Sequence, residues 1–581
     1  MEDVSEVTKS LGEVVLEATE HEDPVKASAV LETFTNALAK SRDPIVREAF
    51  IESCLDVLKP QGDEQDAGRL SVLEDAALTV IPAFLPLVKT SAHAKEVLEL
   101  IAAHSEPREV VLALNQQLAH FTEQADPFAV SDDEDDTDVE DNELDWEYAL
   151  PQVEAVLDMY AVALPRLKTQ RSTPTLLAFQ DTLTPLIQAV PVSAPGDLAV
   201  PISRSLLLRT AKIVTAAWAW AQTTADSGGE QKAMLTEVLQ TAIMIFGPCS
   251  GADLTSRWFL ATHPQFGGLH PEIDGPQQWE EGQAVLDESL AAATALGLDH
   301  WELIERVINT SSVKPHSSIS SVILLASTLP ALAVKKEEFA PSKTIIADAM
   351  PLLTLAIGGS ALDAGTAVTW ALIHAAQAGR VALEYDQATF FIELVMPLIQ
   401  VNQSPTTRLA MSKLLGAIVS TTPGAIDRIH LLKQLLEPSN PFDGIRVLAV
   451  SLLREQIASK TGPSPLLNPT LLEQLGPILF SVPAGPLDWP LNDVMASMWP
   501  VWLTECSNLV WFLLQRDAAN ATGFADRERR DTLRSSFLGP VQRTANKWQI
   551  EAGDNASFAL VLDRLQDAVA RALKATEPPA A

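Results

Sequence analysis

From residue 146 onward the apolar positions Trp146, Leu150, Val153, Val156, Leu157 and Tyr160 fall at steps of three and four. That is the period of a helix burying one face, and it predicts a helix here. Elsewhere a repeated local signal introduces the same kind of stripe. A capping residue precedes proline and an apolar run follows, often with arginine near its start: Asp43-Pro44-Ile45-Val46-Arg47, Ser404-Pro405-Thr406-Thr407-Arg408, and Asn440-Pro441 leading to Arg446-Val447-Leu448-Ala449. Proline in the first turn loses no needed hydrogen bond, and Asp, Ser or Asn before it accepts from the unpaired amides, so each reads as a helix start.

The unit implied is helix, turn, helix. The 36 residues from Pro405 to Pro441 come near the roughly 40-residue period of HEAT and armadillo arrays, although other starts keep a less regular step. The expected fold is all-α: an irregular HEAT/armadillo-like α-solenoid of antiparallel helix pairs, each helix burying its face on its neighbours. Gly/Pro-rich stretches at Ala189–Pro201, Gly462–Pro469 and Val482–Pro490 mark longer turns. One segment breaks the pattern. Ser131–Glu147 holds eleven carboxylates and no basic residue, and its self-repulsion predicts a solvated loop over Ser131–Asn142. It reads as a flexible linker, an acidic docking segment for a basic partner, or a loop phosphorylated at Ser131. The expected organisation is residues 1–125, N-terminal repeats; 126–147, acidic disordered linker; 148–487, central repeats; and 488–581, a C-terminal region that holds Trp489, Trp499, Trp502, Trp511 and Trp548. Those tryptophans suit either core anchors or a clustered contact surface.

Composition agrees with helix. Glycine is sparse at 26 residues in 581 and aromatic residues make up 6%. The formal net charge of −35 argues against nucleic acid, whose binding draws on counterions released by Lys and Arg. Cys54, Cys249 and Cys506 are too far apart for a disulfide framework or a CxxC knuckle, which fits a reducing compartment. The acidic start Met1-Glu2-Asp3-Val4 lacks the basic flank of a signal peptide. Asp348 and Asp363 hold the apolar run around Pro351–Leu362 below the roughly 20 residues that span a bilayer. A soluble, cytoplasmic or nuclear protein that contacts no membrane is expected, a monomer by itself.

No HExxH, GxSxG, GxGxxG or GxxxxGK[ST] pattern occurs, and His93, His104 and His120 match no ligand spacing. Gly247-Pro248-Cys249-Ser250-Gly251 and Gly358-Gly359-Ser360 read as turns. No enzyme, cofactor or metal is expected. The charge does invert once: from Arg516 to Lys547 there are seven basic residues (Arg516, Arg527, Arg529, Arg530, Arg534, Arg543, Lys547) against the acids Asp517, Asp526, Glu528 and Asp531. This stretch reads as a solvated helix face, or as a patch whose arginines bond carboxylates or carbonyls of a protein partner.

The same region carries a longer pattern. An apolar helix, Trp511-Phe512-Leu513-Leu514, runs into Arg516-Asp517, then Asn520-Ala521-Thr522-Gly523, and a charged helix closes on Phe537-Leu538-Gly539-Pro540. Ser105-Glu106-Pro107-Arg108-Glu109-Val110 and the acidic interruption add to it. Together these resemble the glomulin / YAP-binding protein family, which includes aberrant lateral root formation and kinetochore YAP-binding members; the chain looks like a fungal-type member. The resemblance implies a HEAT-like adaptor. Members similar to glomulin bind the RING-box subunit of cullin–RING ubiquitin ligases through their C-terminal region and block the ubiquitin-charged conjugating enzyme. Fungal members are instead associated with oxidative-stress transcription factors and kinetochore proteins. A third reading is an armadillo-like transport receptor for a small GTPase or basic localisation peptides. Candidate partner-binding residues are Arg516, Asp517, Asn520, Arg527, Arg529, Arg530 and Arg534, with Trp511 and Phe537. In the motif, Asn520–Gly523 suits a helix C-terminus, with Gly523 as a left-handed cap.

Overall fold

The computed structural model describes residues 24–41, 43–62, 66–125, 145–193, 199–267, 276–298, 315–335, 345–379, 381–402, 404–458, 464–482, 485–553 and 555–577, together with Lys9 and Glu13. The helices run in order α1 Pro24–Lys40, α2 Pro44–Leu58, α3 Asp66–Glu74, α4 Ala77–Phe84, α5 Ala92–His104, α6 Pro107–Ala125, α7 Trp146–Ala163, α8 Thr173–Ser193, α9 Ala199–Ala221 and α10 Gly229–Phe246. They continue as α11 Leu254–Thr262, α12 Pro276–Ala295, α13 Pro315–Lys335, α14 Ile345–Gly358, α15 Leu362–Gln377, α16 Tyr385–Val401, α17 Pro405–Thr421 and α18 Ala425–Leu436. The last are α19 Asp443–Ile457, α20 Pro469–Leu479, α21 Leu491–Met495, α22 Trp499–Arg516, α23 Arg527–Leu533, α24 Gly539–Ala552 and α25 Ala556–Ala575. No strand occurs among the described residues. Of the expected acidic linker, residues 126–144 lie outside the described residues. Its last three begin α7, where Asp145 accepts from the Glu147 amide and Trp146 is buried.

The chain divides into two compact units, Met1–Leu254 with Pro271–Ala331 and Pro351–Thr366, and Thr255–His270 with Leu332–Met350 and Ala367–Ala581. In the first unit the helices from α4 to α10 pack on the second one along, α4 on α6, α5 on α7, α6 on α8, α7 on α9 and α8 on α10, while α1 packs on α4, α2 on α5 and α9 on α12. Alternate helices therefore stack in layers, as expected of a repeat array in which every face is buried by a neighbour. In the second unit α16 to α20 interleave similarly, and α22, α24 and α25 form the C-terminal cluster. The irregular, HEAT/armadillo-like helical repeat is thus the fold of this chain.

The capped starts hold at Asp43, which accepts from Ile45 N at 2.9 Å, and at Ser404, which accepts from Thr407 N at 3.3 Å. Asn440-Pro441 is different, since α19 begins at Asp443. The Asn440 side chain instead joins two helices, donating to the Leu435 carbonyl at 3.0 Å and accepting from Phe442 N at 3.0 Å. The arginines near helix starts have a specific task. Arg408 donates to the carbonyl of Asn402, Arg428 to that of Thr422 and Arg446 to that of Leu436, in each case at the carbonyl end of the preceding helix. Arg69 does the same at Val57, Arg166 at Ala102 and Ser105, and Arg516 at Ala458. Carbonyls there have no intrahelical donor and carry the negative end of the helix dipole, so a guanidinium is their natural partner.

In the first unit a carboxylate does the corresponding work. Asp226 accepts from the Ser172 and Thr173 amides and from the hydroxyls of Ser172, Thr173 and Thr224, at 2.7–3.0 Å. It thereby ties the start of α8 to the turn after α9. Burial acts to raise its carboxyl pKa, but the hydrogen bonds from Ser172, Thr173 and Thr224 outweigh this and hold it well below the usual carboxylate range.

A second apolar stretch lies outside the run around Pro351–Leu362. Ser317–Lys335 has the length and hydropathy to cross a membrane, yet 67% of its apolar window is buried inside the fold. Its serines are sealed by bonds onto its own backbone, Ser320 and Ser321 to the Ser317 carbonyl and Ser327 to that of Leu324. An all-round apolar helix enclosed in this way is a core element.

Two outcomes follow. Arg428→Ala, which strips the carbonyl of Thr422, the C-cap of α17, of its charged donor, lowers stability by about 1–2 kcal/mol in denaturant titration. The stability contributed by Asp226, a group whose folded pKa is depressed, is present above the unfolded carboxylate value near 4 and is lost as pH falls below it. The gap in denaturant midpoint between wild type and Asp226→Asn is therefore wide near neutral pH and narrows near pH 3; an equal gap at both would contradict this assignment.

Candidate protein-docking surface

The C-terminal motif is built from the end of α22. That helix stops at Arg516, and the Asp517 carboxylate turns back to accept from Ala521 N at 2.7 Å, Thr522 N at 2.9 Å and the Thr522 hydroxyl at 2.6 Å. Thr522 in turn accepts from Phe524 N. Asn520 accepts from Ala525 N at 2.8 Å and donates to Asp526 at 2.7 Å, and Arg529 donates to the Thr522 carbonyl. Every polar side chain of the motif is engaged in holding this loop. Gly523 is left-handed, with φ +72°, as the sequence implied, but it lies six residues beyond Asp517, the C-cap of α22, rather than capping the helix. Asn520 is left-handed too, with φ +51°, a conformation that Asn tolerates better than other residues with a β-carbon.

Two candidate contact residues are thereby corrected. Asp517 is 6% exposed and serves as the loop's internal acceptor. Phe537 is fully buried, its ring 6.0 Å from that of Phe480, and belongs to the core. The Phe-Leu-Gly-Pro stretch does not close a helix. Arg534–Leu538 forms a π-helical turn in which Gly539 N donates to the Arg534 carbonyl, and the chain runs on into α24. Pro540 has no amide to continue the ordinary ladder, and the Ser535 and Ser536 hydroxyls bond the Thr532 carbonyl. A β-carbon on Gly539 would lie 2.8 Å from the Arg534 carbonyl oxygen, so only glycine fits the widened turn. The wide turn also keeps phase: Leu533, Phe537, Val541 and Ala545 are all buried at steps of four, which a pure 3.6-residue period would rotate off one face.

The arginines divide into two sets. Arg516 and Arg529 bond backbone carbonyls, as above. Arg527, Arg530, Arg534 and Arg543 make no ion pair and no side-chain hydrogen bond among the described residues, and Arg530 Nε is sealed from solvent without a partner. Arg527 and Arg543 are exposed, Arg530 and Arg534 half-buried. Arg527, Arg530 and Arg534 occupy positions i, i+3 and i+7, one stripe of α23 and the turn after it. The tryptophans split as well. Trp502 and Trp548 are core, with the Arg446 guanidinium 4.8 Å from the Trp502 ring, whereas Trp489 and Trp511 are 38% and 40% exposed. Trp511 lies on the solvent side of α22 with Val501, five residues or about 8 Å along the axis from Arg516.

Two of the three cysteines, Cys54 and Cys506, are buried. Burial pushes the Cys54 thiol up to about 12 and raises that of Cys506, and such thiols stay protonated. Among the described residues no cluster of three His, Cys, Asp or Glu side chains has the geometry to hold a metal ion. Arg204, bonded to the Ser250 carbonyl at 2.7 Å and to Glu281 at 2.6 Å, fastens the turn that carries Cys249.

Mutations separate loop architecture from surface. Asn520→Ala keeps a β-carbon in the left-handed position and costs about 1 kcal/mol more than Asn520→Gly in paired denaturant titrations. Phe537→Ala destabilises by about 3–5 kcal/mol, whereas Arg527→Ala stays within about 0.5 kcal/mol of wild type.

No family model matches the chain, and no curated protein matches it. Among solved structures it is similar to a protein described as a circular tandem repeat protein with novel repeat topology and enhanced subunit contact surfaces, at 11% identity over 99% of this chain and 96% of that one. The TM-score is 0.23, and at that value the likeness carries no argument about fold or function.

Proposed function

We propose that this chain is a non-enzymatic helical-repeat adaptor that holds a protein partner on its C-terminal helices. The observation that carries the reading is the stripe Arg527, Arg530 and Arg534, with Arg543: guanidinium groups without partners among the described residues, in a chain whose acids outnumber its bases by 76 to 41. Elsewhere arginines such as Arg428 and Arg446 are spent on the chain's own carbonyls. Unengaged guanidinium groups suit bidentate bonds to a partner, and an exposed tryptophan such as Trp511 supplies the apolar anchor that interfaces favour. The partner we propose is the RING-box subunit of a cullin–RING ligase, by the resemblance of the C-terminal motif to the glomulin family. Inhibition would then be steric, the bound helices covering the surface that the conjugating enzyme needs.

Co-purification from cells tests the reading. The expected outcome is recovery of a cullin and its RING-box subunit, and a purified ligase that discharges ubiquitin more slowly when this chain is added. Recovery of stress transcription factors or kinetochore subunits without any cullin would overturn the ligase assignment in favour of the fungal reading. Trp511→Ser is expected to weaken partner binding by roughly tenfold or more in calorimetry while leaving the helical circular-dichroism signal unchanged.

A further inference from the structure

We infer that the partner segment seated on Arg527, Arg530, Arg534 and Arg543 is an extended acidic peptide with carboxylates at alternate positions, an inference that rests on the docking reading above. The stripe from Arg527 to Arg534 covers seven residues, about 10 Å along a helix axis. Its far end is joined by Arg543, whose guanidinium nitrogen lies 3.6 Å from the position of a β-carbon on Gly539, over the π-turn that begins at Arg534. An extended chain places alternate side chains on one face about 7 Å apart, so two or three alternating acids span such a row. Guanidinium groups bind carboxylates in a two-toothed geometry that a single ammonium cannot copy.

Charge selects a short acidic segment over a nucleic acid. The stripe is bordered by Asp526, Glu528 and Asp531, and the whole chain carries −35. At physiological salt charges are felt over about 8 Å, so a few carboxylates sense the arginines, while a phosphate backbone that continues past them also meets the carboxylates of Asp526, Glu528 and Asp531. The same argument makes the patch selective: acidic segments are repelled over most of this chain and attracted here.

The test uses the full chain and fluorescence anisotropy with labelled peptides of about twelve residues, alternating Glu-Gly against Gln-Gly, and a single-stranded oligothymidine of similar length. The expected result is binding of the Glu peptide alone, weakened several-fold between about 50 and 300 mM salt and roughly tenfold by the double change Arg527→Glu with Arg534→Glu, with circular dichroism unchanged. Equal binding of the Gln peptide, indifference to the double change, or tighter Arg-dependent binding of the oligonucleotide would each overturn it. So would Glu-peptide binding that appears only after residues 131–142 are replaced by Gly-Ser, which would assign the patch to the chain's own acidic segment. The two readings fail separately. Ligase binding that survives the double change but is lost in Trp511→Ser overturns the acidic-peptide inference and keeps the adaptor; Glu-peptide binding without any ligase binding does the reverse.

Discussion

Guanidinium groups set on the carbonyl ends of neighbouring helices are the interaction on which the repeat depends. A helix leaves its last carbonyls without donors, and in a stacked array those ends abut the next helix instead of water. Arg408, Arg428 and Arg446 each reach back to the helix before their own, and Arg166 and Arg516 reach across about sixty residues to ends that the chain left long before. Each bond satisfies a carbonyl and sets a positive charge against the negative pole of a helix dipole. Apolar faces bring the helices together, but apolar contact has no direction, and it is these bonds that define which ends meet.

Asp226 is the mirror image of this device. It takes up the free amides at the start of α8, where the dipole is positive, and binds the neighbouring turn through the same carboxylate. The Asp517 carboxylate does likewise within the C-terminal loop. Several connections between helices in this fold are therefore ordered by charged side chains, half-buried at Arg428 and Asp226 and exposed at Arg408 and Arg516. In the loop that joins α22 to α23 the left-handed positions are Asn520 and Gly523.

This view changes the meaning of the C-terminal motif. Two residues that first read as contact candidates, Asp517 and Phe537, shape the loop and the core beneath it, and the half-exposed Asn520 bonds within the same loop. What they present outward is α23 and its π-turn, with arginines left over once the carbonyls are satisfied. A widened turn there is forced by Pro540 and accommodated by Gly539, and it lets the helix bury Phe537 and Leu538 together while Arg534 stays at the edge. The recognition surface we propose is the outer side of that construction.

Much of the fold was legible in the chain because its causes are local. Helical periodicity, proline at first turns, and the capping groups Asp43 and Ser404 act within a few residues, and the all-helical array followed from them. So did the arginines near helix starts and the left-handed Gly523. Their partners were not legible. Arg516 bonds a carbonyl 58 residues away, and nothing in the sequence near Asp226 announces that Ser172 and Thr173 will converge on it. The sequence also could not sort Trp502 and Trp548 from Trp489 and Trp511, or Phe537 from a surface ring, because burial depends on which helix lies opposite. By itself the sequence determined helices, their starts and an inverted charge near the C-terminus. Only the tertiary structure decided which of those charges are satisfied by other described residues of the chain and which are not, since satisfaction is a matter of distance between groups far apart in sequence.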